Sequence, residues 1–162
     1  ILLKCLCLMK IHIYTIHKNE MLGDIMQYYS KACKGFGATL SFFNMFNKRI
    51  QEAQKQDSNI AKQSYTMAFS KYLDKQSVLL DAEGEKLTSI GFSRMIESYS
   101  TQSGIIKFFI AGAFGFEKEI LKRHKTISLS TLTFSHEIAK IVLLEQIYRS
   151  LSIINKHPYH KL

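Results

Sequence analysis

A helical pattern near the carboxyl end constrains this chain most. Between residues 138 and 154, apolar side chains occupy most of the helical circumference: Ile138, Ile141, Val142, Leu143, Leu144, Ile147, Tyr148, Leu151, Ile153 and Ile154. A helix apolar nearly all round must be covered on more than one side. The chain has 162 residues, which is one domain with a substantial core. In a domain this small, a second copy of the chain is the expected cover for the far side. The remaining stripe carries Glu145 and Arg149, four apart with Glu first, the favourable order for an ion pair. Exposed, such a pair is worth little. Between apolar neighbours it reads better as an arginine held by its carboxylate at the edge of a site, because a buried Arg needs a partner.

The rest of the chain alternates two periods. Residues 10–16 (KIHIYTI) predict a first strand, with apolar and polar side chains alternating. Residues 20–34 predict a helix that Gly35 and Gly37 end. Residues 38–43 predict a second strand, and 47–55 a polar segment that is helical or mobile. Asp57 or Ser58 caps a helix running to residue 73. A buried strand at 78–80 leads into a turn at 81–86 (DAEGEK) and a helix at 89–100. A strand at 105–110 (IIKFFI), a tight turn at 111–116 (AGAFGF), a helix at 117–123 and a strand at 127–129 complete the series. This order predicts an α/β domain, with a mostly parallel sheet and helices on both faces.

In such sheets ligands bind outside the carboxyl ends of the strands. Three candidate loops leave there, at residues 80–84, 111–116 and 129–134. Gly112 and Gly115 lack the third glycine of a dinucleotide fingerprint and the GK[ST] of a phosphate loop. They either allow a tight turn or border a ligand. The chain closes on His157-Pro158-Tyr159-His160-Lys161. Two histidines without a nearby Cys or acidic ligand make a poor metal pair, so no metal is expected. Tyr and His can stack on a displaced base, and Lys161 can meet a phosphate.

The formal net charge is +9, which points to a polyanionic partner. Apolar residues at 46% exclude a disordered chain. Cys5, Cys7 and Cys33 are too few and too odd in number for a disulfide framework, and they fit a reducing compartment. The opening ILLKCLCLM is too short to span a bilayer and lacks a cleavage site, so no membrane association is expected. Met9 is the expected natural start, with residues 1–8 an extension and 9–162 a single domain.

These residues carry a family resemblance. The ordered set is Val78-Leu79-Leu80-Asp81 with Gly84, then Phe109-Ile110-Ala111-Gly112 with Gly115, then Ser128-Leu129-Ser130 with Leu132-Thr133. His136 follows, then Leu144-Glu145-Gln146-Ile147-Tyr148-Arg149, then Asn155 with His157-Pro158-Tyr159-His160. The set resembles the ribosomal RNA large subunit methyltransferase H family, the bacterial pseudouridine-N3 methyltransferases of the SPOUT superfamily. The likeness spans residues 9–161 and is densest after Phe108.

The resemblance implies a C-terminal trefoil knot, a cytoplasmic homodimer and S-adenosyl-L-methionine held in the knot. It implies cofactor contacts at Leu80, Ala111, Gly112, Leu129, Ser130, Thr131, Leu132, Thr133 and Phe134, with Gly115 in the same turn. The implied substrate is a pseudouridine of 23S ribosomal RNA in the assembled ribosome. Arg149, Tyr159 and His160 match positions tied to catalysis or RNA placement. In that scheme His160 is the expected base, Tyr159 fixes the ring, Glu145 holds Arg149, and the tail completes the neighbouring subunit's site. His157 and Lys161 are expected to contact RNA. Three departures stand out: Ala111 and Phe114 fall where the family often has Gly and Glu, and Lys161 where Arg is common. The alternative is a ribosome-binding or RNA-binding module of the same fold that has lost the cofactor.

Overall fold

The computed structural model describes residues 8–161. The expected extension at residues 1–8 therefore lies, apart from Leu8, outside the described residues, as do Cys5 and Cys7. The elements in chain order are β1 (Met9–Thr15), α1 (Gly23–Lys34), β2 (Ala38–Asn44), α2 (Lys48–Gln54), α3 (Ser58–Phe69), β3 (Ser77–Lys86), α4 (Ser89–Gln102), β4 (Ile105–Ile110), α5 (Lys118–Arg123), β5 (Lys125–Ser128) and α6 (His136–Ile154). A single 3₁₀ turn, Ser70–Tyr72, follows α3. The five strands form one parallel sheet in the order β2-β1-β4-β3-β5.

Side chains alternate across a strand, so consecutive apolar residues feed opposite faces. Phe108 and Phe109 of β4 show this. Phe108 joins the core under α1, α4 and α6, with Cys33, Phe92, Ile96, Leu143 and Ile147. Phe109 joins the core under α2, α3 and α5, with Ile50, Tyr65, Phe69 and Ile120. Both phenylalanines are fully buried. The sheet is thus covered on both faces, as a near-continuous apolar β4 requires.

Several boundaries differ from expectation. The first helix begins at Gly23, not at residue 20. Glu20 is held outside it, because its Oε1 accepts the Leu22 N–H (3.0 Å) and its Oε2 accepts Lys140 Nζ (2.7 Å). The polar segment after β2 is helical, capped by the Asn47 side chain accepting the Ile50 N–H at 2.9 Å. The expected turn at 81–86 is instead a continuation of β3 with a bulge. Both Leu80 and Glu85 pair with Ile127, so the residues between them loop out of register. Gly84 makes that possible: a Cβ there would stand 2.5 Å from the Ile127 carbonyl carbon.

Candidate active site

The carboxyl ends of β3, β4 and β5 surround a cavity of about 420 Å³. Leu80, Asp81 and Ala82 enter from β3, Ala111, Gly112 and Gly115 from the turn after β4, and Leu129, Ser130, Leu132, Thr133 and Phe134 from the loop after β5. His136 and Ala139, on the first turns of α6, close it. The three loops expected from strand ends therefore meet at one place. Thr131, also expected there, is exposed and does not line the cavity.

The two glycines have local reasons to be glycine. Gly115 has φ of +74°, and its N–H closes the turn on the Gly112 carbonyl at 3.0 Å. Gly112 backs onto the buried Tyr65 ring, where a Cβ would stand 2.6 Å from Cζ. Ala111 is buried within the α2–α3–α5 core, and Phe114 is exposed and lies outside the lining. Hydroxyls shape the loop after β5. Ser128 Oγ donates to the Ser130 carbonyl (2.7 Å), Ser130 Oγ accepts the Leu132 N–H (3.0 Å), and Ser135 caps α6.

A second polar cluster forms further along α6. Glu145 Oε1 accepts from Arg149 Nε (3.0 Å), Arg149 Nη2 (2.5 Å) and Tyr159 Oη (3.1 Å). Its Oε2 accepts from Gln146 Nε2 at 2.6 Å. The tail reaches back because Lys156 adopts a left-handed φ of +54° and reverses the chain. Tyr159 then lies under the Arg149 guanidinium, 5.0 Å from centroid to Cζ, and edge-on to Tyr148. His160 Nδ1 sits 3.3 Å from Arg149 Nη1. The hydrogen bond to Glu145 raises the Arg149 pKa, and burial followed by Glu145 raises that of Tyr159. So the structure brings Glu145, Arg149, Tyr159 and His160 together.

A family model described as "Predicted SPOUT methyltransferase" matches residues 9–160. The chain belongs to the SPOUT methyltransferase family. Its sequence is 46% identical over 155 residues to "Ribosomal RNA large subunit methyltransferase H" of Helicobacter acinonychis (strain Sheeba), covering 94% of this chain and 100% of that protein. The proteins of the same name from Helicobacter pylori (strain J99) and Helicobacter hepaticus are 46% and 41% identical, at the same coverage. A solved structure titled "Crystal structure of an hypothetical protein" superposes with a TM-score of 0.49 at 13% identity, over 90% of this chain and 68% of that one.

In this SPOUT methyltransferase His157 packs edge-on against Phe36, while Lys161 is exposed at the tail. One cluster beside the cavity escaped the sequence reading. Lys140 is 2% exposed, and its Nζ reaches Glu20 Oε2 at 2.7 Å. The same oxygen meets His17 Nε2 at 2.8 Å, and the His17 ring stands edge-on to His136. Burial, and then the Lys140 charge, hold His17 below its ordinary pKa. Among the described residues no group of His, Cys, Asp or Glu could hold a metal ion, and no helix is long and apolar enough to cross a membrane.

Proposed function

We propose that the chain methylates N3 of a pseudouridine in large-subunit ribosomal RNA, with S-adenosyl-L-methionine in the cavity between Leu80, Gly112 and Leu132. The size of the cavity, about 420 Å³, is in the range of small-molecule sites, and its lining is mostly apolar, with Asp81, Ser128, Ser130, Thr133 and Ser135 among it. The residues that would hold the donor are Leu80, Ala111, Gly112, Gly115 and the loop from Leu129 to Phe134. Bound there, the donor would supply a methyl group on a sulfonium. Arg149, oriented by Glu145, supplies positive charge for the ring oxygens as the ring loses its proton. Tyr159 offers a face for the base, and His157 and Lys161 meet the RNA around it.

The observation that carries this reading is the separation of the two halves along one helix. His136 and Ala139 line the cavity at the start of α6, whereas Glu145 and Arg149 stand towards its end. At about 1.5 Å of rise per residue, Arg149 is roughly 20 Å beyond His136. Methyl transfer needs its partners about 3 Å apart. A symmetric pair of chains with α6 against α6 brings the tail cluster of one to the cavity of the other. Half-buried Ile141, Val142 and Tyr148 and exposed Ile138 supply the apolar face for that contact. The reading includes a threaded carboxyl end, which the family resemblance of residues 128–160 implies. A ribosomal substrate also fits the net charge of +9 and a cytoplasmic location.

The test is transfer of labelled methyl from S-adenosyl-L-methionine to ribosomes, with the modified nucleotide mapped. One methyl on a single pseudouridine of the large-subunit RNA is expected. No transfer, together with no heat of cofactor binding, would leave an RNA-binding module without enzymatic activity.

A further inference from the structure

The contact between Arg149 and His160 fixes more than position. Nδ1 of His160 lies 3.3 Å from Arg149 Nη1. A guanidinium has only N–H groups to offer and accepts nothing. A proton on Nδ1 would set one N–H against another. Nδ1 therefore carries the lone pair, and the ring proton sits on Nε2. Nε2 is shielded from solvent and meets no hydrogen-bond partner among the described residues. It is a donor for which the described residues supply no acceptor.

The neighbouring groups are no better placed to take a proton. Both oxygens of Glu145 are occupied, by Arg149, Tyr159 and Gln146. The Tyr159 O–H donates its hydrogen bond to that carboxylate. The group in contact with the His160 ring is thus a donor, and the carboxylate beside that donor is engaged.

We propose that the approach of the substrate uncovers Nε2, and that His160 then acts through its Nε2–H as a hydrogen-bond donor to a ring carbonyl oxygen of the uracil-type base and takes no proton from it. This rests on the function proposed above. The ring N–H bond breaks with its proton passing to solvent water, and the electron pair stays on the ring. That pair spreads over the ring carbonyl oxygens, where Nε2–H and the Arg149 guanidinium meet it. On this reading His160 is a stabilising donor, where the resemblance led to the expectation of a base.

Two measurements test this. In the full-length, ¹⁵N-labelled protein, imidazole nitrogen spectra should show His160 with its proton on Nε2, assigned by loss of the signals in His160→Gln. A proton on Nδ1 would overturn the assignment whatever the activity. Gln keeps an N–H near the place of Nε2 but has no basic nitrogen. In methyl transfer to ribosomes, His160→Gln should stay within about tenfold of the parent, whereas His160→Phe should lose about 100-fold, the usual scale for one lost donor. Cofactor affinity by calorimetry should be unchanged in both. A His160→Gln chain that binds cofactor but is as slow as His160→Phe would identify a base and sink the donor role. A parent protein that transfers no methyl group would refute the proposed function instead, and the spectra would still read the tautomer.

Discussion

Glu145 is where the polar tail is tied down. Three donors share one of its oxygens, so it sets the direction of Arg149 and Tyr159 together. Glu145→Gln keeps the shape but loses the charge. A turnover about 10–100-fold lower, with unchanged cofactor affinity, is expected, because charged hydrogen bonds to an arginine position it more firmly than neutral ones. Steady-state kinetics beside calorimetry checks both halves of the statement. His17 makes a different prediction. Its pKa is held below 6.5 by burial first and then by Lys140, which together outweigh Glu20. The unfolded chain therefore binds the proton more readily, and stability should fall as pH drops from 6.5 towards the folded pKa. Denaturant melts of His17→Gln should show a flatter pH dependence across that window than the parent; an equal slope would exclude His17 as its source.

At the level of elements, the series of strands and helices was legible because β1, β2 and β4 are short β-forming runs and α2, α3, α4 and α6 each start at a capping side chain. Asp57 is an example: its carboxylate accepts from Asn59 N (2.7 Å) and Ile60 N (3.0 Å) at the start of α3. Asp57→Ala should cost about 1 kcal/mol, read as a lower denaturation midpoint at constant slope. The cavity loops were legible for a topological reason, since parallel strands deliver their carboxyl ends to one rim. The bulge in β3 was not. Residues 81–86 read as a turn by composition, and only the partner strand shows that the chain resumes pairing at Glu85. Gly84→Ala has no room beside the Ile127 backbone and should cost about 1–3 kcal/mol in the same melts. Lys140 was illegible for a related reason. Helical periodicity treats a lysine as a solvated position, yet its partner Glu20 comes from the opposite end of the chain. The sites that sequence patterns hide are those completed by distant segments.

At the scale of the whole molecule, the proposed pairing of chains has a direct consequence. Arg149→Ala breaks the tail cluster, and Ala139→Trp fills the cavity. Each alone should be inactive. If each site takes its cavity from one chain and its tail from the other, refolding equal amounts together should restore about a quarter of the parent activity. If each chain serves only itself, mixing restores none. The buried sulfur of α1 has a consequence of its own. Cys33 is fully enclosed, and burial alone pushes its thiol up to about 12. Alkylating reagents attack the thiolate, so the native protein should leave this side chain unmarked at neutral pH. Its modification in a peptide map would then run as a chemical clock, ticking only when the first helix lifts from the sheet.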